Sequence, residues 1–437
     1  MKQEIKQRIE QIRRGEVPDG YKKSPFGIFP VDWKIKKLSD VLRKQTQKNK
    51  DNSVHNVLTN SATQGIISQT DYFDKKIAND ENTNGYYLVQ PGDFVYNPRI
   101  SNNAPCGPFN RYNGDNNGIM SPLYTVYRFE DKSLAYSDYL SHYFLSSKWH
   151  AYMNGIANYG ARSDRMNVLS EDMDNMPLPD PPSSEAQRIV EILSTQDKVI
   201  KLYEKKIEQL QLLKKICLKK MFPRQGRNVP EVRFSGFTVP WEQRKLGELA
   251  SSFEYGLNAA AKEFDGLNKY LRITDIDEFS HEYNDDDLTS PDTDLSIAQN
   301  YLLQEGDLLF ARTGASVGKT YIYKKLDGHV YFAGFLIRAR IKTQYDYNFI
   351  FQSTLTKRYE DYIKITSQRS GQPGVNAKEY ADYVLFIPEY AEQCKIGQYL
   401  CQIDHLITLH QRRLDEEKRK KKALMQLLLT GIVRVEK

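Results

Sequence analysis

The stretch EAQRIVEILSTQDKVIKLYEKKI, Glu185 to Ile207, returns in altered form as EQCKIGQYLCQIDHLITLHQRRL, Glu392 to Leu414. Glu185 falls on Glu392, Arg188 on Lys395, Ile189 on Ile396, Leu193 on Leu400, Asp197 on Asp404 and Ile200 on Ile407, every pair 207 positions apart. A repeat of this period decides the architecture before any local element does. The same offset places Val168 on Val375, Leu178 on Leu385 and Pro181 on Pro388. Further upstream FPVDWKIKKL, with Phe29 and Trp33, matches FTVPWEQRKL, with Phe237 and Trp241, at an offset of 208. LVQPGDFVY (Leu88 to Tyr96) matches LLQEGDLLF (Leu302 to Phe310) at 214. The drifting offset means insertions inside a shared fold. The chain is thus one unit written twice: a Trp-containing entry, a mixed domain and a long helix.

Along the first repeated stretch, positions 189, 193, 196, 200, 203, 207 and 210 carry Ile, Leu, Gln, Ile, Tyr, Ile and Leu. Spacings that alternate four and three make a heptad seam. The second copy continues it with Ile396, Leu400, Ile403, Ile407, His410, Leu414 and Glu417. A helix from about Ser183 to Phe222 extends roughly 60 Å at 1.5 Å per residue, more than one domain can bury. The two helices are therefore expected to pair with each other, antiparallel because each follows its own domain. The alternative is that each docks on its own domain. Gln196, His410 and Glu417 read as register or rim positions of the seam.

Between the markers lie β-rich stretches, Ser121 to Phe129 and His329 to Ile341, separated by Gly, Asn and Asp turns. Helical periodicity covers Ser137 to Met153 and Asn348 to Ile363. Each half reads as α+β.

With 437 residues the chain has room for two cores. Lys and Arg (62) exceed Asp and Glu (56) by only six, so the overall charge does not announce a polyanion partner. The basic runs Lys198 to Lys220 and Arg412 to Lys422 have helical spacing and read as solvated faces. Cys106, Cys217, Cys394 and Cys401 form no CxxC pair and have no His at zinc-ligand spacing, so no metal is expected on them and they read as reduced cytosolic thiols. The N-terminus MKQEIKQRIEQIRRGE lacks the apolar core of a signal peptide, and no apolar run approaches the roughly 20 residues of a membrane span. The reading is a cytoplasmic protein without a membrane partner.

The order of these segments resembles the specificity subunits of type I restriction-modification systems. The resemblance covers almost the whole chain and is most specific in MFPRQGRNVPEVRFSGFTVPWEQRKLGEL (Met221 to Leu249), in the Pro-then-Gln approach to each helix, and in LLQEGDLLFARTGASVGKTYIY (Leu302 to Tyr323). It implies two target-recognition domains in a pseudo-twofold repeat, separated by two long antiparallel coiled-coil helices. In residues this gives an N-terminal helical segment 1–20, recognition domains at 21–182 and 229–388, and spacer helices at 183–228 and 389–437. It implies double-stranded DNA as ligand, each domain reading one half of a split target, with two methyltransferase subunits docked on the helices and restriction subunits joining them. It further implies a noncatalytic chain that binds no cofactor, S-adenosylmethionine, ATP and magnesium belonging to the partner subunits. Because Ile9 to Tyr21, IEQIRRGEVPDGY, looks like the tail of the first long helix, MFPRQGRNVPEV, it also implies a circular layout with the N-terminus beside the C-terminal helix. Physics agrees: two target parts about one helical turn apart need readers held at a set distance and rotation.

Several motifs invite an enzyme reading, either a self-contained DNA methyltransferase or a nuclease. TGASVGKT (Thr313 to Thr320) resembles a P-loop, but only three residues separate Gly314 from Gly318 where four are required. DPPS (Asp180 to Ser183) resembles the DPPY tetrapeptide of adenine methyltransferases, yet Ser183 cannot stack on a base, and the prolines serve better to start the helix. Pro179-Asp180 with Glu204-Lys205-Lys206 has the letters of a nuclease site, but its second part lies mid-helix. Glu282 to Asp294 lacks calcium-loop spacing. A coiled-coil scaffold without DNA readout is a third reading, carried by the long helices alone.

For base reading, Arg, Asn and Gln matter because they make bidentate contacts to guanine or adenine edges. They concentrate in Asn97 to Arg111, Asn158 to Arg165 and Ser367 to Gly374. The candidate DNA-contacting residues are Arg99, Arg111, Arg162, Arg165, Arg312, Lys319, Arg369 and Gln372, with Lys319 assigned to a phosphate.

Overall fold

The computed structural model describes residues 3–24, 27–69, 83–131, 133–157, 164–278, 280–368 and 371–435. The chain forms two compact units: Met1–Lys201 together with Asp415–Lys437, and Leu202–Leu414. The division falls inside both long helices, Ser183–Lys220 and Tyr390–Leu428.

In the first unit an antiparallel sheet runs in the order Leu42–Gln45, Thr125–Phe129, Phe94–Tyr96, Phe109–Arg111. In the second unit the order is Ala250–Tyr255, Leu336–Ile341, Leu308–Ala311, Thr320–Ile322, again antiparallel. Each unit adds a ribbon that joins its Trp segment to the strand before its long helix: Lys34–Lys37 with Pro177–Asp180, and Glu242–Lys245 with Val384–Ile387. Beside the sheet the same pairings recur in different lengths, the parallel one reduced in the first unit to the bridge Val57 to Ile119 and an antiparallel one reduced in the second to the bridge Leu302 to Tyr331. The first carries antiparallel pairs, Leu58–Ser61 with Gly65–Ser68 and Tyr87–Val89 with Gly118–Met120. The second carries a parallel pair, Asn268–Leu271 with His329–Phe332, and an antiparallel pair, Ala260–Glu263 with Thr289–Asp292.

The expected helix over Ser137 to Met153 is two helices, Leu134–Phe144 and His150–Ile156, because Trp149 turns inward and donates its indole N–H to the Phe144 carbonyl at 2.9 Å. The expected helix over Asn348 to Ile363 also breaks, into Tyr347–Ser353 and Lys357–Thr366. There the hydroxyls of Ser353, Thr354 and Thr356 donate back to the carbonyls of Ile350, Phe351 and Ser353, ending the helix.

The heptad seam is the buried stripe of both long helices: Ile189, Leu193, Gln196, Ile200, Ile207 and Leu210 on one, Ile396, Leu400, Ile403 and Leu414 on the other. Within the first unit, Gln196 donates to the carbonyl and carboxylate of Glu417, and Lys421 pairs with Asp197 at 2.5 Å. Within the second, Tyr203 packs on His410 with ring centroids 5.8 Å apart, and Lys214 pairs with Asp404 at 2.5 Å. In the second unit Tyr203 and Lys214 meet His410 and Asp404, and in the first Glu185 meets Arg434 just past the end of the other helix while Gln196 meets Glu417, so in each unit the pairing is antiparallel.

Each core is closed by a buried Trp–Glu–Arg hub. Trp33 donates to Glu185, and Arg434 adds a two-pronged ion pair to that carboxylate. Trp241 donates to Glu392, and Arg233 pairs with it in the same way. In the second unit Arg233 and Trp241 come from one continuous segment, whereas in the first they come from opposite chain ends. Tyr21 donates its hydroxyl to the Gly431 carbonyl at 2.7 Å, and Arg8 donates to Ile432. Gly431 sits at φ +64° after the helix, where a Cβ would fall 2.5 Å from Pro30. This is the circular layout: the N-terminal segment lies beside the end of the second long helix.

Candidate nucleic-acid interface

The site grows from the Gly-Asp turn that stands in both copies of the repeat, Gly92-Asp93 and Gly306-Asp307. Asp93 accepts the Gln90 N–H at 2.8 Å and holds Arg128 of the neighbouring strand by both oxygens at 3.0 Å. Asp307 accepts the Gln304 N–H at 2.9 Å and holds Arg340 at 3.0 Å, with Arg338 3.7 Å away. Both carboxylates are buried, so the turn and the sheet are tied by one charge-assisted bond system in each unit. The strand that follows, Phe94–Tyr96 or Leu308–Ala311, then delivers a loop at a fixed place.

That loop is stitched to a second loop by a hydrogen-bond pattern found in both units. In the first unit Met166 N–H donates to Pro98, Ile100 N–H to Asp164, and Arg99 bridges Arg165. In the second unit Val375 N–H donates to Arg312, Gly314 N–H to Pro373, and Thr313 bridges Gly374. The register makes Met166, not Val168, the counterpart of Val375. Both are buried, and the two-residue difference is taken up before the short helices Ser170–Asp174 and Ala377–Ala381.

The structure thus brings Arg99 and Arg165 together, and Arg312 with Gln372, whose Nε2 lies 3.2 Å from where a Gly314 Cβ would be. Arg99 is exposed. Arg165 is half-buried, 4.0 Å from Asp164, and its Nε makes no hydrogen bond among the described residues. Arg312 lies over the rings of Tyr255 and Phe335. Arg111 is drawn away into its own domain, with Asp138 at 2.6 Å and hydrogen bonds to Ser137 and Asn113. Lys319 is mostly buried, pairs with Glu278 at 2.7 Å and donates to the Ile276 carbonyl at 3.1 Å. Arg162 and Arg369 lie outside the described residues.

The Thr313–Thr320 turn is held from behind: Tyr380 donates to the Ala311 carbonyl at 2.6 Å and Tyr359 to Gly318 at 3.0 Å. Burial raises both phenols well above their ordinary range, so they act as neutral donors. In the first unit Cys106 is buried beneath the loop and its thiol pKa is pushed up by that burial. A raised pKa suits packing rather than nucleophilic chemistry. Among the described residues no group of three or more His, Cys, Asp or Glu is placed to hold a metal ion, and no helix is long and apolar enough to cross a membrane.

Sequence reasoning missed Tyr255, which reaches Arg312 from the end of the strand Ala250–Tyr255, and Phe335, which reaches it from the turn before Leu336–Ile341; neither carries a local signal. It also missed the role of Asp93 and Asp307, although their repetition marked them. What the arrangement offers is two loop pairs of common backbone geometry that present different side chains.

A family model described as the type I restriction modification DNA specificity domain matches residues 30–212 and again 238–418. Among known proteins the chain is similar to the type I restriction enzyme MjaVIII specificity subunit of Methanocaldococcus jannaschii, 25% identical over 272 residues, spanning 60% of this chain and 63% of that protein. It is also similar to the putative type I restriction enzyme MjaX specificity subunit of that organism, 23% identical over 437 residues, 96% of this chain and 97% of the other. In fold it resembles the type I restriction-modification S subunit from M. genitalium, with a TM-score of 0.57 at 13% identity over 91% of this chain and 96% of that one.

Proposed function

Since the chain belongs to the type I restriction modification DNA specificity family, we propose that it is the noncatalytic subunit that selects the DNA target of such a system. Each unit reads one half of a bipartite, gapped sequence in double-stranded DNA, and the paired helices set the spacing. The observation that carries this reading is the duplicated loop pair. Its backbone stitching is held constant while Pro98, Arg99 and Arg165 in one unit stand where Arg312, Thr313 and Gly374 stand in the other. A constant frame with variable side chains is what two readers of different sequences require.

Arg99, Arg165, Arg312 and Gln372 are the side chains best placed for this; Arg162 and Arg369, outside the described residues, remain candidates from the sequence alone. Arg111 and Lys319 act chiefly within their own units. Two methyltransferase subunits dock on the helices and restriction subunits join them in the cytoplasm. S-adenosylmethionine, ATP and magnesium are held by those partners.

The test is to express the chain with the methyltransferase subunit of its own system and map methylated adenines across the host genome. The expected result is one motif of two short specific parts separated by unspecified bases. Methylation at a single continuous motif, or at none when the methyltransferase is shown to be assembled, overturns the reading.

A further inference from the structure

Arg312 is the first residue after its strand, and its backbone is fixed at both ends: its N–H donates to the Phe335 carbonyl at 3.1 Å and its carbonyl accepts the Val375 N–H at 2.9 Å. The guanidinium carbon lies 5.1 Å from the centre of the Tyr255 ring and 5.9 Å from that of Phe335. Both rings are themselves open to solvent, Tyr255 at 44% and Phe335 at 60%. Tyr255 is anchored, since its hydroxyl accepts the Ala377 N–H at 3.2 Å. Among the described residues the guanidinium forms no ion pair, and its buried Nε has no hydrogen-bond partner. In this it differs from Arg111, Arg128, Arg338 and Arg340, whose charges are spent on Asp138, Asp93 and Asp307.

Two exposed aromatic faces that orient an unpaired guanidinium serve no evident purpose in packing. Stacking fixes the plane of an arginine fork and leaves its donors free for a planar, two-point acceptor. In the major groove that acceptor is the O6 and N7 edge of guanine. The first unit lacks the device: by strand register Pro98 takes the place of Arg312, Thr46 that of Tyr255 and Leu123 that of Phe335.

We propose that Arg312, clamped by Tyr255 and Phe335, is a specificity-determining residue that reads one guanine in the half-target of the second unit. This rests on the DNA-reading function proposed above, and the experiment separates the two. Genome-wide methylation is mapped for the wild-type chain, Arg312→Lys and Phe335→Leu, each with the methyltransferase subunit. Absence of a two-part motif in the wild type defeats the function itself.

Given that motif, Arg312→Lys keeps the charge but loses the fork. Acceptance of other bases should rise about tenfold or more at a single G·C position of one half, the other half remaining unchanged. Phe335→Leu, which installs the residue of the first unit, should relax that same position to a smaller degree. An unchanged motif for Arg312→Lys overturns the proposal. So does loss of methylation spread evenly over both halves, up to complete loss, because that pattern marks a phosphate or folding contact. A Phe335→Leu motif altered at a different position overturns the clamp.

Discussion

Trp33 donates its indole N–H to the Glu185 carboxylate at 2.9 Å, across 152 positions of sequence, and so fastens the entry segment to the first turn of the long helix. Glu185 is nearly fully buried and its remaining lone pairs are filled by Arg434, which also holds Asp32. Removing Glu185 leaves the buried Trp33 N–H without its acceptor and takes the buried carboxylate from Arg434, which Asp32 still holds, whereas removing Glu392 takes from Trp241 and Arg233 the carboxylate they share. Glu392→Ala should therefore lower the stability of the chain by about 3 kcal/mol, read from denaturant unfolding, and Glu185→Ala by somewhat less, because Asp32 still pairs with Arg434. A loss below about 1 kcal/mol for both would show that the hubs are incidental.

Gln196 and Glu417 meet where the second unit has Ile403 and Leu210, each 207 positions from its counterpart. At this one layer the first unit is thus polar and the second apolar. A lone polar contact in a coiled-coil seam fixes register at some cost in stability. Gln196→Ile alone should destabilise by about 1 kcal/mol, because it removes the amide donor from the half-buried Glu417 while the Lys420 pair at 3.2 Å stays. Gln196→Ile with Glu417→Leu should recover that loss or exceed it. Thermal melts of the two single variants and the double variant check this, and an additive double variant would refute the coupling.

Much of this was legible in the sequence because it depends on periodicity. The seam from Ile189 to Leu210 follows from spacing alone, as does its repetition from Ile396. The entry tryptophans and the first-turn glutamates likewise stand in matched segments. Arg434 and Arg233 did not reveal themselves, since one follows its helix at the chain end and the other precedes the second tryptophan. The Arg312 clamp was half visible. An arginine in a loop can be named from sequence, but Tyr255 and Phe335 reach it only through strand pairing across the sheet. Arg111 shows the converse, a loop arginine whose charge the fold had already claimed through Asp138.

The Asp93–Arg128 and Asp307–Arg340 pairs yield a third expectation. Each aspartate caps its own turn while neutralising a strand arginine, so alanine removes two functions at once. Asp93→Ala should cost about 3 kcal/mol. Asp93→Asn, which can still accept the Gln90 N–H, should cost less. Amide exchange across Phe94–Tyr96 should accelerate in both variants, in that order. Unchanged protection there would show that the turn does not need the pair.

The last expectation concerns His142, which stands where the second unit has Gln352. Gln352 donates to Asp404, the partner of Lys214, at 2.7 Å. His142 faces Asp197, the partner of Lys421, at 4.0 Å, with Asp138 and Arg111 also near. Burial, aided by Lys421, pushes its pKa down from 6.5 to about 4. The folded chain therefore keeps this imidazole neutral down to about pH 4, while the unfolded chain takes up the proton near pH 6.5. Between these values the unfolded state binds more protons, so the contribution is fully present above pH 6.5 and is lost as pH falls towards 4. Between pH 7 and pH 5 the group should remove about 2 kcal/mol of stability. His142→Gln installs the amide of the second unit and abolishes the titration, so its stability should fall by about 2 kcal/mol less than that of the wild type over the same interval. Urea unfolding at the two pH values measures both, and parallel losses in the two proteins would rule out His142 as the source.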